Sequence, residues 1–359
     1  MSELLKIFDL SASVKLLIKI FIFLAQHRSI IRVMEAIFNT TTDSVATEGE
    51  NAYETYIRIF QSLLAGTAIL GLIGNVFAYL TASNFAQKSS GQNFIKCLAV
   101  GDTLAGFQDG ILESLFPMLG LDLFVHHTLL CRYMGWFTYF STVASAYVLV
   151  ATAVDRLIAV WKPIYYSQNS TPVRATVTSL LVWLLWALIC LPVFFTFDVQ
   201  GDDFCFIVVD NPWSILTAEQ LQTYNDFIAM SSATVPGIAL IVVNILTLYK
   251  LKKNTASVSR NDREVTICLI VVSVSFLICV LATGIMVKHG VDIRDSNPDL
   301  AYMINYTRKI PVVINNSMNF YAYFAASAYF RSVFYQTVGL KRSSGGQNGT
   351  RGRTENSKT

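Results

Sequence analysis

The chain has 359 residues, of which 53% are hydrophobic and 14% charged, with a net charge of +3 and a mean hydropathy of +0.48. A soluble domain carries about a quarter charged residues, so 27 basic and 24 acidic side chains are too few to cover a water-soluble protein of this length. That composition excludes a soluble enzyme, a nucleic-acid-binding domain and a disordered scaffold.

Residues 1 to 55 read as an extracellular N-terminal tail. Within it, 16 to 25 (LLIKIFIFLA) is apolar but too short to span a membrane and is interrupted by Lys19. It reads equally as a signal-peptide core, an amphipathic or disordered tail, or a mis-joined first segment covering 1 to 30. Asn39-Thr40-Thr41 is a glycosylation sequon on the side assigned as outside.

Six stretches then follow with no Asp, Glu, Lys or Arg: 59 to 87, 133 to 154, 175 to 197, 227 to 249, 265 to 287 and 310 to 330, each 21 residues or longer. At about 1.5 Å per residue, each is long enough to cross a hydrocarbon core of about 30 Å as a helix. A seventh span, roughly 94 to 120, carries Lys96 at its start and is otherwise uncharged except for Asp102, Asp109 and Glu113. Backbone in lipid must satisfy its own hydrogen bonds, so the expected fold is an all-α bundle of seven transmembrane helices covering 56 to 338.

Alternate inter-span segments and the C-terminal tail hold 16 of the 27 basic residues; of the other 11, five lie in residues 1 to 55 and a sixth, Arg58, just before the first charge-free stretch, where the positive-inside rule counts least. The segment 198 to 226 has six acids and no Lys or Arg. The expectation is a multi-pass plasma-membrane protein with its N-terminus outside and its C-terminus cytoplasmic. From Ala328 to Val338, Phe330, Phe334 and Val338 recur every four residues, which predicts a short amphipathic eighth helix on the inner face. The tail from 339 to 359 is rich in Gly, Ser, Thr, Asn and Arg and reads as disordered and cytoplasmic.

Span three ends in Asp155-Arg156-Leu157-Ile158-Ala159-Val160-Trp161-Lys162-Pro163-Ile164, which closely resembles the DRYxAVxxPL stretch of rhodopsin-like (class A) G-protein-coupled receptors. Cys131 precedes Arg156 by 25 residues, the family's separation. Gly74-Asn75, Leu98-Ala99-x-x-Asp102, Trp183, Pro236 and Phe276-x-x-Cys279 resemble its helix markers, and Asn319-Phe320-Tyr321-Ala322-Tyr323 resembles NPxxY with Phe in place of Pro. The family's span-six CWxP reads Cys279-Val280-Leu281-Ala282, without the Trp switch or the Pro kink.

The resemblance implies a receptor, not an enzyme, whose partners are an extracellular ligand, a heterotrimeric G protein, arrestin, a receptor kinase and membrane lipid, with no nucleic acid. It implies coupling and an ionic lock at Asp155, Arg156, Asp262, Pro163 and Ile164, and activation motifs at Asn319, Tyr323, Phe276 and Cys279. It also implies no cofactor beyond an allosteric sodium ion held by Asp102, Ser145, Asn315 and Asn319. The alternative for Asp102 is a protonated acid hydrogen-bonded to the two asparagines. Of six cysteines, Cys131 and Cys205 alone lie outside the apolar runs on the oxidising side, and with the resemblance they are expected to be bonded.

For the ligand, Asp109 and Glu113 follow Asp102 by seven and eleven residues, which on a regular helix places the three acids on one inward stripe. With the acidic segment after span four, this favours a cationic peptide, and the expected ligand pocket includes Asp109, Glu113 and Thr138. In the other reading, Asp109 and Glu113 pair with Lys288, Arg308 or Lys309. Position 313 is Val, not the Lys a retinal needs, and Thr138 stands where amine receptors carry an Asp. The remaining alternatives are a non-peptide small-molecule receptor and, in a different class, a seven-helix transporter or channel.

Overall fold

The computed structural model describes residues 46–86, 88–121, 124, 127–200, 204–208, 213–253, 260–293, 300, 303–304 and 307–340. The apolar run 16 to 25, the sequon at Asn39, the tail from 341, and the side chains of Asp262 and Lys288 lie outside what is described.

Span one is the helix Ala46–Ser83. Its buried positions Leu64, Ala68, Gly71, Asn75, Ala78 and Ala82 recur every three or four residues, while Leu63, Leu70, Ile73 and Val76 point outward. The buried face is built of small residues, so span seven approaches closely. A Cβ on Gly71 would lie 2.8 Å from Ser317 Cα, and backbone cannot step aside as a side-chain tip can. Gly71→Ala is therefore expected to destabilise the bundle by about 1–3 kcal/mol, read as a lower unfolding midpoint in detergent; an unchanged midpoint would show that the helices separate without cost.

Span two starts at Ser90, with Ser89 capping the Gln92 amide, and runs to Gly106. It continues through a wide i→i+5 turn, Phe107–Leu115, and a last short helix, Phe116–Met118. Pro117 lacks an amide and crowds the carbonyl four residues back, which a widened turn relieves. Gly120, at φ +72°, ends the segment in the left-handed conformation.

Span three, Thr128–Trp161, packs against spans two, four, five and six. Span four, Pro172–Ile189, is capped by Thr171 and begins on proline. A short helix, Leu191–Thr196, leads to an antiparallel hairpin of β1 (Phe197–Gln200) and β2 (Phe204–Ile207), in register Val199 to Cys205.

Span five is Ala218–Ala229, a wide turn Met230–Thr234, and Val235–Lys253. Its wide turn again precedes a proline, Pro236. Thr217 and Gln220 form a capping box that starts it. The acidic segment 198 to 226 is therefore not all loop: Glu219 and Asp226 belong to this helix, and Asp198 to β1.

Span six is an unbroken helix from Arg260 to Ile293, as the absence of proline allows. Span seven is Lys309–Ser317 and Asn319–Ala326, interrupted at Met318 although Phe320 stands where the family pattern has proline. The predicted amphipathic helix forms at Ala328–Thr337, with Ser327 accepting from the Phe330 amide at 2.9 Å. It packs through Phe330 and Val333, both buried.

Five helices among the described residues are long and apolar enough to cross a membrane by length and composition. Span seven is not among them because it is broken into Lys309–Ser317 and Asn319–Ala326, and span two carries Asp102, Asp109 and Glu113 along its length. The outward faces agree with lipid: span four buries Ala175, Ser179 and Trp186 while Leu180, Leu181, Leu184, Leu185 and Leu188 stay exposed. The chain is a multi-pass membrane protein with the expected all-α seven-span bundle.

Candidate functional site

A cavity of about 500 Å³ opens between spans two, three, five, six and seven, a size suited to one small ligand or a peptide end. Thr138, Tyr139, Asn225, Ile228 and Arg308 line it toward the hairpin end, and Phe276, Cys279, Ser145, Asp102 and Asn319 line it deeper.

Asp102 and Asp109 are buried and Glu113 nearly so, yet the regular-helix stripe needs correction. The wide turn changes the angular step, and neither Asp109 nor Glu113 lines the cavity, although Thr138 does. Lys309 Nζ pairs with Glu113 at 2.6 Å, and Thr138 and Gln108 donate to the same carboxylate at 3.0 and 3.1 Å. The pairing that the sequence left as an alternative is thus realised for Glu113. Gln108, buried five residues before Glu113, meets it because of the i→i+5 turn; a neutral side chain at that spacing carries no signal on a regular helix.

The hairpin end is also less acidic than composition alone implies. Arg132 pairs with Asp198 at 3.1 Å and donates to the Phe197 carbonyl at 3.2 Å. Cys131, one residue earlier, is bonded to Cys205, with Cα atoms 5.6 Å apart. The disulfide sets Arg132 beside the strand, and its position next to a bonded cysteine was the available signal.

At the cavity floor, Ser145 Oγ donates to Asp102 Oδ1 at 2.6 Å and the Asn319 amide donates to Oδ2. Asn315 turns to Asn316 Oδ1 at 3.5 Å, and both line the cavity. The Asp102 carboxylate and the Ser145 hydroxyl are hard oxygen donors that fit a sodium ion, while Asn319 and Asn315 use their amide nitrogens in these contacts and would turn over to bring their oxygens to it.

At the opposite end of span three, Arg156 is 3% exposed and pairs with Asp155 at 2.5 Å. It also donates to the Tyr166 hydroxyl and lies over that ring, 5.2 Å from its centroid. Asp155 accepts from Ser90 Oγ at 2.5 Å and from Tyr166 at 3.0 Å. Tyr166 belongs to the short helix Pro163–Asn169 opened by Pro163, on which Ile164 is 76% exposed. Sequence reading missed Tyr166 and Ser90, because a tyrosine in a connecting helix and a serine at a helix start have no periodicity to mark them. Toward the same end, Tyr323 is buried against Phe330, ring centroids 5.5 Å apart, and its hydroxyl has no hydrogen-bond partner among the described residues.

The chain is thus a seven-span helical membrane bundle with a cavity at one end of span three and a buried Asp-Arg pair at the other. The model of the 7 transmembrane receptor (rhodopsin family) matches residues 74–318, and the chain belongs to that family. Similar proteins include cephalotocin receptor 1 of Octopus vulgaris, 29% identical over 49% of this chain and 43% of that one. Somatostatin receptor type 1 of Rattus norvegicus is 24% identical over 67% and 61%, and D(2) dopamine receptor A of Xenopus laevis is 25% identical over 64% and 49%. The chain thus spans less than two thirds of each of these relatives.

Proposed function

We propose that the protein is a plasma-membrane receptor that passes binding of an extracellular peptide to a heterotrimeric G protein. The observation that carries the reading is the buried Arg156, held by Asp155 and Tyr166 beside the exposed Ile164, at the end of the bundle away from the cavity. A ligand that favours an open arrangement shifts the population toward it and releases Arg156 to the partner. Asp262, with Asp155, is assigned the lock, and Pro163 and Ile164 the docking contact. Phe276, Cys279, Asn319 and Tyr323 relay the change along the interior. The distribution of basic residues supports an outside N-terminus and a cytoplasmic tail, where arrestin and a receptor kinase would act. A sodium ion at Asp102, Ser145, Asn315 and Asn319 would supply charge neutralisation at the cavity floor.

Peptide receptors among the relatives support the ligand class, and the dopamine receptor among them keeps a small molecule as the second reading, which the modest cavity volume also favours. The test is a G-protein dissociation assay in cells expressing the intact chain, screened against cationic peptides and small amines. Glu113→Gln removes the carboxylate that holds Lys309 and is expected to lower the potency of an activating ligand by about tenfold. A panel that leaves the G protein undissociated at confirmed surface expression, with basal activity equal to untransfected cells, would contradict the receptor reading.

A further inference from the structure

The cavity continues past the level of Phe276 and Cys279. One space runs from Arg308 and Asn225 near the hairpin end to Asp102, Ser145 and Asn319 at the floor. Arg308 and Asn319 are eleven residues apart on span seven, about 16 Å of helical rise. The opening between the two levels follows from span six. Val280 stands where the family pattern has a tryptophan, and Val280, Thr283 and Gly284 line the wall, so span six puts no large ring at that level, Phe276 lying one turn further along.

Two features of this chamber point to what fills it. Its lining among the described residues carries one acid, Asp102, and one base, Arg308, at opposite ends. Asp102 is held only by the neutral donors Ser145 and Asn319, so an arriving cation would meet a carboxylate with no ion pair among the described residues. Independently, Asn225 Oδ1 is buried against the same space and has no hydrogen-bond partner among the described residues, an acceptor that a ligand donor would satisfy.

We infer that the ligand is an elongated molecule whose cationic end, an ammonium, amidinium or guanidinium group, reaches the cavity floor and contacts Asp102, so that ligand and sodium ion compete for one carboxylate. Arg308 takes a carbonyl or carboxylate nearer the mouth. That the occupant is a signalling ligand rests on the receptor reading; the single chamber and its preference for cations do not.

The experiment therefore uses thiol reagents as probes, with no need of the natural ligand. In a Cys279→Ser background, Ser145→Cys and, separately, Ala146→Cys place a thiol near the floor, and Thr138→Cys places one near the mouth; all three positions line the cavity. Ala146 leaves the Ser145 bond to Asp102 intact, so it guards against a folding defect in the first variant. Intact cells are treated with the cationic 2-(trimethylammonio)ethyl methanethiosulfonate and the anionic 2-sulfonatoethyl reagent. The floor thiols are expected to label from outside, with a cation-over-anion rate ratio about tenfold above that at Thr138→Cys. Asp102→Asn is expected to erase the excess, and replacing choline by sodium to slow the cationic reagent several-fold. Val280→Trp is expected to block the floor thiols and spare the mouth.

Floor thiols that stay unlabelled, or that label without charge preference, overturn the inference even if the G protein is activated normally. Labelling as expected, with a wild-type chain that never activates a G protein, would remove the receptor reading and leave the chamber standing.

Discussion

Arg156→Ala is expected to abolish ligand-stimulated G-protein activation while the protein still reaches the cell surface. The two halves of that outcome follow from the same contacts. Without the guanidinium, Asp155 keeps Ser90 Oγ at 2.5 Å and the Tyr166 hydroxyl at 3.0 Å as donors, so the remaining acid is not left unsatisfied. Asp155→Asn is the harsher change, because it takes the paired carboxylate away from a cation that is 3% exposed. Breaking a buried pair from one side costs about 3–5 kcal/mol, reduced here because the Asp155 side chain is 12% exposed. It should therefore lower the unfolding midpoint and raise basal signalling, since the arginine is released without ligand. The reverse ranking, with Arg156→Ala unfolded and Asp155→Asn silent, would mean that the pair is a structural clamp and no switch.

The second large effect concerns the disulfide. Cys131 is fully buried at the hairpin end of span three and bonded to Cys205 on β2 across 74 residues. Closing a loop of that length is worth roughly 4 kcal/mol in the chain-entropy account. The bond also sets β1 beside span three, where Arg132 meets Asp198 and a Cβ on Gly135 would overlap the Phe197 ring. Cys131→Ser is thus expected to lose most surface expression, and the double change with Cys205→Ser to lose no more than either single one. Full expression and an unchanged unfolding midpoint in the double variant would show that the hairpin holds its place without the bond.

Much of the architecture was legible because lipid imposes a simple rule: each charge-free stretch of 21 residues or more lies largely in a helix. The eighth helix was legible for the same periodic reason, Phe330 and Phe334 recurring on one face. What escaped were departures from regular geometry and contacts between distant segments. The stripe of acids in span two rests on 100° per residue, and the wide turn at Phe107–Leu115 breaks that step, bringing Gln108 to Glu113 and leaving both acids off the cavity wall. An acidic segment after span four suggested a negative mouth, yet charge counting could not see Arg132 turning onto Asp198. Tyr166 could be placed against Arg156 only once the helix opened by Pro163 had been folded back. The motif residues themselves, by contrast, occupy interior positions: Asp102, Phe276, Cys279, Asn319 and Tyr323 are all buried.

The measurement that tests the account most directly is basal and ligand-stimulated nucleotide exchange on purified heterotrimeric G protein, with the receptor in lipid nanodiscs. The wild-type chain should accelerate exchange, Asp155→Asn should do so more strongly without ligand, and Arg156→Ala should leave the G protein at its own rate. Equal exchange with wild-type receptor, Arg156→Ala and empty nanodiscs, across the major G-protein classes and in the presence of a ligand shown to bind, would contradict it.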